Sequence, residues 1–195
     1  MKEEKQMSQI PRPVPTRNEI KVDPKRYIVS KTDTTGKIVY GNEYFTEISG
    51  YKESELIGQP HNILRHPDMP RAIFHLMWKH LKSGRNIMAV VKNMAKNGDH
   101  YWVTTDFEIK RDRDGNVRHY IAFRQAAPKH VVKEIEPLYK KLLEIENELG
   151  MEASIDYLNG YLEERKMNYD QFIENLAKPK GLSAIFFNKM KKLFS

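Results

Sequence analysis

Short runs of apolar and β-branched residues alternate with turn signals along much of the chain, and they predict strands. Two runs at residues 27–30 and 37–40 flank the turn sequence Asp-Thr-Thr-Gly and predict a hairpin. Three further runs follow at residues 86–92, 101–110 and 117–124. The turns between these three contain Asn-Gly or Asp-Gly, which tolerate the positive φ of tight antiparallel connections. The pattern therefore predicts a five-stranded antiparallel sheet.

Helical segments separate the first two strands from the last three. Residues 42–49 and 53–57 predict short helices, each followed by a glycine. A longer helix is predicted over residues 71–82, because Pro70 precedes its first turn and Gly84 lies just beyond its last. An antiparallel sheet with helices on one face is an α+β fold.

The two ends of the chain differ from this central domain at residues 26–126. Residues 1–25 hold four prolines among charges and predict an extended N-terminal arm. Residues 127–195 predict a helical C-terminal extension. A heptad-like seam of apolar residues, which Pro137 interrupts near its start, consists of Ile135, Leu138, Leu142, Ile145 and Leu149.

The last segment, residues 178–195, is basic and amphipathic. It contains five lysines and no acid, and an apolar stripe of phenylalanine and leucine lies opposite several of the lysines. Such a helix suits an anionic membrane surface or a groove on a partner. A helix that folds back on the domain with solvated lysines is an equal alternative for residues 181–195.

The amino-acid composition excludes several kinds of chemistry but does not identify a binding partner. The 195 residues include no cysteine, which excludes disulfides, thiolate metal sites, cysteine nucleophiles and a cysteine–flavin adduct. The net charge of +7 is too modest to select nucleic acid, lipid or an acidic ligand. No apolar run approaches the ~18 residues of a membrane span, and the N-terminus lacks a secretory apolar core, so we expect a cytoplasmic protein.

One loop concentrates the residues that can bind a ligand. Arg65, His66 and Asp68 lie within four positions of one another, between prolines that stiffen the backbone. An arginine at the mouth of a pocket can donate two hydrogen bonds to a phosphate or carboxylate. A surface loop with a local Arg65–Asp68 ion pair is the alternative, and such pairs are common and weak.

A second candidate cluster lies in the strands that follow. If they point inward, Asn93 and Trp102 would give a planar ligand a polar anchor and an aromatic wall. The alternative for Trp102 is an ordinary core position. No base–nucleophile pair stands out, so we expect a binding protein rather than an enzyme.

Two signatures in the middle of the domain make a family resemblance specific. Residues 48–78 are ISGYKESELIGQPHNILRHPDMPRAIFHLMW, and residues 91–103 are VKNMAKNGDHYWV. Both closely resemble the PAS domain of the bacterial aerotaxis (energy-taxis) receptor family. The resemblance implies a PAS fold for residues 26–126 and a sensor that binds FAD non-covalently and follows cellular redox state.

The resemblance also implies which residues line the flavin site. Carried over by motif, the candidates are Asn42, Arg65, His66, Asp68, Phe74 and Trp78. Asn93 and Trp102 are added to these candidates because both are expected to point inward from the strands. Phe74 and Trp78 would help to form the flat apolar slot that an isoalloxazine ring needs, while His66 and the two asparagines offer donors and acceptors.

The chain departs from the receptor family at its C-terminal end. Residues 126–195 have no room for the membrane anchor, linker and long signalling hairpin of that family. We therefore expect a stand-alone PAS partner of a split receptor, which signals to a membrane chemoreceptor-type protein. A homodimer and a peripheral contact with the inner membrane face are further expectations.

Two other functions remain open from the sequence. A ligand-free PAS module could serve only for protein–protein docking, assembled through the seam at residues 135–149 and the tail. A haem-binding gas sensor would need an axial base, which His75 or His80 could supply. A lone histidine on a helix more often faces solvent.

Overall fold

The computed structural model describes residues 10–177, and a sheet of five antiparallel strands forms its centre. The strands are β1 (Ile28–Thr32), β2 (Ile38–Gly41), β3 (Met88–Met94), β4 (His100–Arg111) and β5 (Val117–Ala126). Their order across the sheet is β2-β1-β5-β4-β3, and every neighbouring pair is antiparallel. The predicted five-stranded sheet is therefore confirmed, with strand ends that shift by a few residues.

Short helices cover one surface of the sheet, which we call the inner face. They are α1 (Glu43–Ser49), α2 (Glu53–Leu56), a 3-10 turn (His61–Leu64) and α3 (Arg71–Lys82). The ring of Trp78 on α3 meets Tyr120 of β5, with ring centroids 5.5 Å apart. Apolar side chains from the helices and the strands form one buried core between them. The predicted α+β fold is confirmed.

Three further helices follow the sheet and cover the edge strand β3. They are α4 (Lys129–Leu149), α5 (Met151–Glu163) and α6 (Tyr169–Ala177). Tyr139 of α4 packs against Trp102 on the opposite surface of the sheet, which we call the outer face, and its hydroxyl donates to the Val90 carbonyl at 2.8 Å. Covering β3 protects an edge that could otherwise pair with another chain.

The apolar seam of α4 packs against other elements of the same chain. Ile135, Leu138 and Leu142 are buried, whereas Leu149 at the end of the seam is exposed. The helix continues through Pro137, although a proline inside a helix removes one backbone hydrogen bond. Burial of the neighbouring Ile135 and Leu138 offsets that loss, since each removes apolar surface from water.

The N-terminal arm is extended over residues 10–24 and lies along the turn between β3 and β4. The Thr16 amide donates to the Gly98 carbonyl at 2.9 Å, and the Ile20 amide donates to the His100 carbonyl at 2.7 Å. Gly98 has φ +89°, and a Cβ at this position would collide with the backbone of the arm. The turn therefore requires glycine both for its own conformation and for the close approach of the arm.

The expected membrane or partner contact of residues 178–195 lies outside the described residues. Between residues 10 and 177, no helix has the length and apolar character needed to cross a bilayer.

Helix α3 is held at both ends by the C-terminal helices. The buried carboxylate of Glu146 on α4 accepts hydrogen bonds from the backbone amides of Arg71 and Ala72, at 2.9 and 3.2 Å, and from Arg71 Nε at 2.6 Å. These are donors that the first turn of a helix leaves without intrahelical partners. At the other end, His80 lies 3.6 Å from the Asp170 carboxylate on α6.

The carboxylate of Glu146 should contribute measurably to stability. We expect Glu146→Gln to lower the free energy of unfolding by about 1–3 kcal/mol, because the amide removes the charge and points N–H groups at the donors of α3. Urea unfolding measures the change. The exposed neighbour Glu148 supplies the control, since Glu148→Gln should stay within about 0.5 kcal/mol of the wild type. Equal effects of the two substitutions would contradict this role.

Candidate functional site

Strand register decides which side chains face the inner surface. Tyr120 contacts Trp78 from this side, so Arg124, four positions further along β5, shares the same face. Arg124 pairs with Thr105 on β4. Tyr101, four residues before Thr105, also faces inward and pairs with Asn93 on β3. A group of polar side chains thus lies on a face that is otherwise apolar.

The loop at residues 65–69 connects the 3-10 turn to α3 and contacts the edge strand β3. Arg65 forms an isolated bridge with Asn93, and its Nη2 donates to the Met69 carbonyl at 2.7 Å. The guanidinium also lies over the ring of Phe74, 4.7 Å from the ring centroid. Burial lowers the pKa of Arg65 to about 10, which leaves it charged at neutral pH. Arg65 therefore fixes the loop, the strand and the first turn of α3 relative to one another.

His66 is buried beside the same strand. Its Nδ1 accepts a hydrogen bond from the Asp68 amide at 3.1 Å, so the proton of the neutral ring lies on Nε2. This Nε2 has no partner within residues 10–177, although the side chain is only 4% exposed. Burial, assisted by the charge of Lys92, lowers the pKa of His66 to about 4. The ring is therefore a neutral donor whose N–H is unused.

Asp68 pairs across the loop with the edge strand. Its carboxylate lies 2.7 Å from Lys92 Nζ, and Lys92 faces the outer side with Trp102. The Arg65–Asp68 pair that the sequence allowed is not formed, because Arg65 instead bonds to a backbone carbonyl. Asp68 thus anchors the loop to β3 from the solvent side.

The two aromatic candidates on α3 lie on one side of the helix. Phe74 and Trp78 are one helical turn apart, and both are half-buried. The rings of Trp78 and Tyr120 meet at an interplanar angle of 80°. The far edge of the indole also lies against Gly36, where a Cβ would come within 3.1 Å of it. Trp78 therefore closes one end of the inner face.

Three of the predicted site residues are placed elsewhere. The ring of His66 lies 5.7 Å from that of His100, which is on the same side of β4 as Trp102. Asn42 caps α1: its Oδ1 accepts from the Phe45 and Val29 amides, both at 3.0 Å, and its Nδ2 donates to the Tyr27 carbonyl. All of these bonds are to the backbone, which is a structural use of the side chain. Trp102 lies on the outer face against Tyr139. The remaining predicted residues lie on the 65–69 loop, α3 and β3.

The structure adds a group that our sequence reasoning missed. Arg124 is buried on the inner face, where Nη1 donates to Ser30 Oγ and Nη2 donates to His61 Nε2, both at 2.9 Å. Burial lowers the pKa of Arg124 to about 10, and it lowers that of His61 to about 3. The strand pattern carried the signal: Tyr120, Ala122 and Arg124 alternate with residues of the other face.

The space between α3 and the sheet is packed with side chains. Met77, Val103, Phe107 and Tyr120 are all buried there. A groove of about 530 Å³ lies instead between the arm and α1, lined by Ile20, Tyr44, Lys96 and their neighbours. In the part of the chain that the structure describes, no three metal-ligating side chains cluster. A planar ligand on the inner face would have to separate Trp78 from Tyr120.

Comparisons with known proteins agree with this architecture. Residues 38–124 match the family model described as the PAS fold. The aerotaxis receptor of Escherichia coli (strain K12) is 44% identical over 115 residues, which are 59% of this chain and 22% of the receptor. The nitrogen fixation regulatory protein of Klebsiella pneumoniae is 29% identical over 97 residues, which are 50% of this chain and 20% of that protein.

A solved structure shows the same fold. A light-oxygen-voltage domain studied with a flavin analogue aligns with this chain at a TM-score of 0.50. The sequence identity is 25%, and the alignment covers 63% of this chain and 87% of that one. The chain spans only about a fifth of the length of the two curated relatives, at 22% and 20%.

The buried imidazoles should make stability depend on pH. The unfolded chain protonates His66 near its ordinary pKa of about 6.5, whereas the folded ring resists a proton until about pH 4. Stability is therefore complete above this window and is lost as the pH falls through it. We expect His66→Asn, whose amide oxygen can still accept from Asp68, to reduce the loss between about pH 7 and pH 5 by about 1–2 kcal/mol.

Urea unfolding at several pH values checks this expectation, and an NMR titration of the His66 ring checks the pKa itself. An unchanged pH dependence in the variant, together with a ring midpoint near its ordinary value, would rule out a buried neutral His66.

Proposed function

Because residues 38–124 form a PAS domain similar to that of the aerotaxis receptor, we propose that this chain senses redox state through non-covalently bound FAD. The supporting observation is that Arg65 contacts both Asn93 on the inner face and Phe74 on α3, the helix that also carries Trp78. The resemblance to a light-oxygen-voltage domain studied with a flavin analogue supports the same class of ligand.

The side chains in this region suit a flavin ring in two ways. Phe74, Trp78 and Tyr120 offer flat apolar surfaces, on which aromatic rings stack. Asn93 and Tyr101, which pair with each other across β3 and β4 and face inward, offer donors and acceptors to a polar ring edge. FAD supplies the two-electron chemistry when bound, and the absence of cysteine excludes a cysteine–flavin bond.

Binding in this space requires α3 to move relative to the sheet, because Trp78 rests on Tyr120. Such a movement would reach the C-terminal helices directly, since Glu146 holds the first turn of α3. A ligand that favours one position of α3 would shift the population of that position. We therefore propose that the signal leaves the domain through α3 and α4.

We further propose that the receiver is a membrane-bound chemoreceptor-type protein, because the similarity is to an aerotaxis receptor. In this proposal the protein is cytoplasmic and acts by binding rather than by catalysis. The outer face and the C-terminal helices would contact the partner or a second copy of the chain. The basic segment at residues 181–195 would bring the protein to the anionic inner membrane surface.

A second candidate function is docking without any ligand. The observation that favours it is the packing of the inner face by the protein's own side chains, with Trp78 seated on Tyr120. The two functions differ in whether the purified chain takes up FAD.

The two tryptophans allow a matched comparison, since they lie on opposite faces of the sheet. We expect Trp78→Leu to weaken FAD binding by about tenfold, because a stacking surface worth about 1.4 kcal/mol is lost. Trp102→Phe should leave the affinity within about twofold. Quenching of flavin fluorescence on binding measures both affinities.

Circular dichroism of each variant confirms that it is folded. If the wild type remains colourless after saturation with FAD and dialysis, the FAD function is wrong and the docking function is favoured. If Trp102→Phe is the variant that loses FAD, the ligand lies on the outer face and the proposed site is wrong.

A further inference from the structure

The outer face of the sheet carries a small apolar cluster that is separate from the main core. Val29 of β1 is paired with Phe123 of β5, and Ile121 lies two residues earlier on β5, so all three side chains point to this face. Each of them is at most 4% exposed. Tyr27 packs beside them, and among the described residues no apolar side chain of α4, α5 or α6 belongs to this cluster.

Burial on this scale requires a covering layer. Side chains stand out from the surface of a sheet, and they stay accessible to water unless a second layer packs on them. Helix α4 covers the outer face at Trp102, where Tyr139 packs, and α6 lies at the edge strand, where Asp170 accepts a hydrogen bond from the Met88 amide. The cluster on β1 and β5 therefore needs a cover that neither helix supplies.

The chain leaves α6 close to this cluster. The Leu176 carbonyl, near the end of α6, lies 3.0 Å from His130 Nε2 at the start of α4. Helix α4 begins directly after β5, the strand that carries two members of the cluster. Residues 178–195, which we call the C-terminal segment, follow and as a helix would extend about 27 Å. The distance along β5 from Ala126 to Ile121 is only about 17 Å.

The N-terminal end of the chain is a poorer source for this cover. Arg12 Nη2 donates to the Asn62 carbonyl at 3.1 Å, which places the beginning of the arm beside the 3-10 turn and the helices of the inner face. Residues 1–9 contain only two apolar residues, and both are methionine. The C-terminal segment instead contains an apolar stripe with three phenylalanines. It therefore has both the reach and the apolar surface that the cluster needs.

The charges of the two surfaces are also complementary. Asp106 of β4 is paired with Phe123, and Glu108 is paired with Ile121, so two carboxylates border the apolar cluster on the same face. One oxygen of Glu108 pairs with Lys110, while the other is buried without a hydrogen bond inside the described part of the chain. Buried carboxylate oxygens require donors. The C-terminal segment, with five lysines and no acid, can supply them.

We propose that the C-terminal segment packs on the outer face as an amphipathic cover, with its apolar stripe on the cluster of β1 and β5 and its lysines beside the two carboxylates of β4. The inference does not depend on FAD binding, because the cluster lies on the surface opposite Trp78. One apolar stripe cannot pack on the sheet and enter a bilayer at the same time. The docked segment is thus withheld from the membrane contact proposed above, which requires its release.

A spin label in the C-terminal segment tests the docked position in the full-length protein. The chain contains no cysteine, so one introduced cysteine carries a nitroxide at a known position. We expect a label at Lys191→Cys to broaden the amide NMR signals around Val29 and Ile121, while signals around Ile73 on α3 give the background in the same sample. A label at Leu149→Cys, exposed at the far end of α4, is the matched control and should leave β1 and β5 unchanged.

A mixed sample distinguishes the same chain from a second copy. In this sample the nitroxide is on protein of natural isotope abundance, and the nitrogen-15 is in protein without a label. Broadening of β1 and β5 in the mixed sample would show that a second copy supplies the cover, and it would overturn the proposal. Absence of broadening on these strands when label and nitrogen-15 are in one chain would overturn it as well.

Vesicles of phosphatidylcholine and phosphatidylglycerol test whether docking withholds the segment from a membrane. We expect Ile121→Gln, which weakens the apolar cluster, to raise the affinity of the full-length chain for these vesicles by about threefold or more, because the undocked fraction rises. Leu149→Gln changes an apolar residue outside this face and should leave the affinity as in the wild type.

Circular dichroism confirms that each variant is folded. If Ile121→Gln does not fold, Val29→Thr, which keeps the shape of the side chain, takes its place. An unchanged vesicle affinity after substitution in the cluster would refute the withholding of the segment. Equal gains in the cluster variant and in Leu149→Gln would refute it too, since the effect would not belong to the outer face.

Discussion

The buried carboxylate of Glu146 is the interaction on which the geometry of the inner face depends. It satisfies backbone donors at the start of α3 and binds the Arg71 side chain, so it determines where this helix begins. From that fixed start, Phe74 and Trp78 follow at one-turn spacing and face the sheet. The helix that carries Phe74 and Trp78 is thus held by the helical extension that follows the sheet.

The inner face combines a well-packed apolar core with polar groups that packing alone does not explain. Arg124, Tyr101 and Thr105 are buried where a purely structural domain would place aliphatic residues. His66, at the neighbouring loop, also keeps an unused N–H. Arg124 is bonded to Ser30 and His61, and Tyr101 to Asn93, so the cost of burying these two groups is partly offset.

Local patterns in the sequence predicted the sheet, the helices and the loop at residues 65–69, because turn dipeptides and apolar periodicity are local signals. The family resemblance suggested Arg65, Phe74 and Trp78 as site residues, and the structure places Arg65 against Phe74 and both aromatic residues on α3. It could not show that Asn42 is committed to capping α1, or that Trp102 faces α4, since both depend on tertiary contacts. Arg124 was missed because a charged residue in a strand is usually assigned to the solvent face.

The central claim is that FAD binds the inner face between α3 and the sheet. The chain contains two tryptophans, one on each face, so their indole N–H signals in a nitrogen-15 NMR spectrum report directly on location. On titration with FAD, we predict a large shift or broadening of the Trp78 signal and little change in the Trp102 signal. No change in either signal, or a change confined to Trp102, would contradict the account.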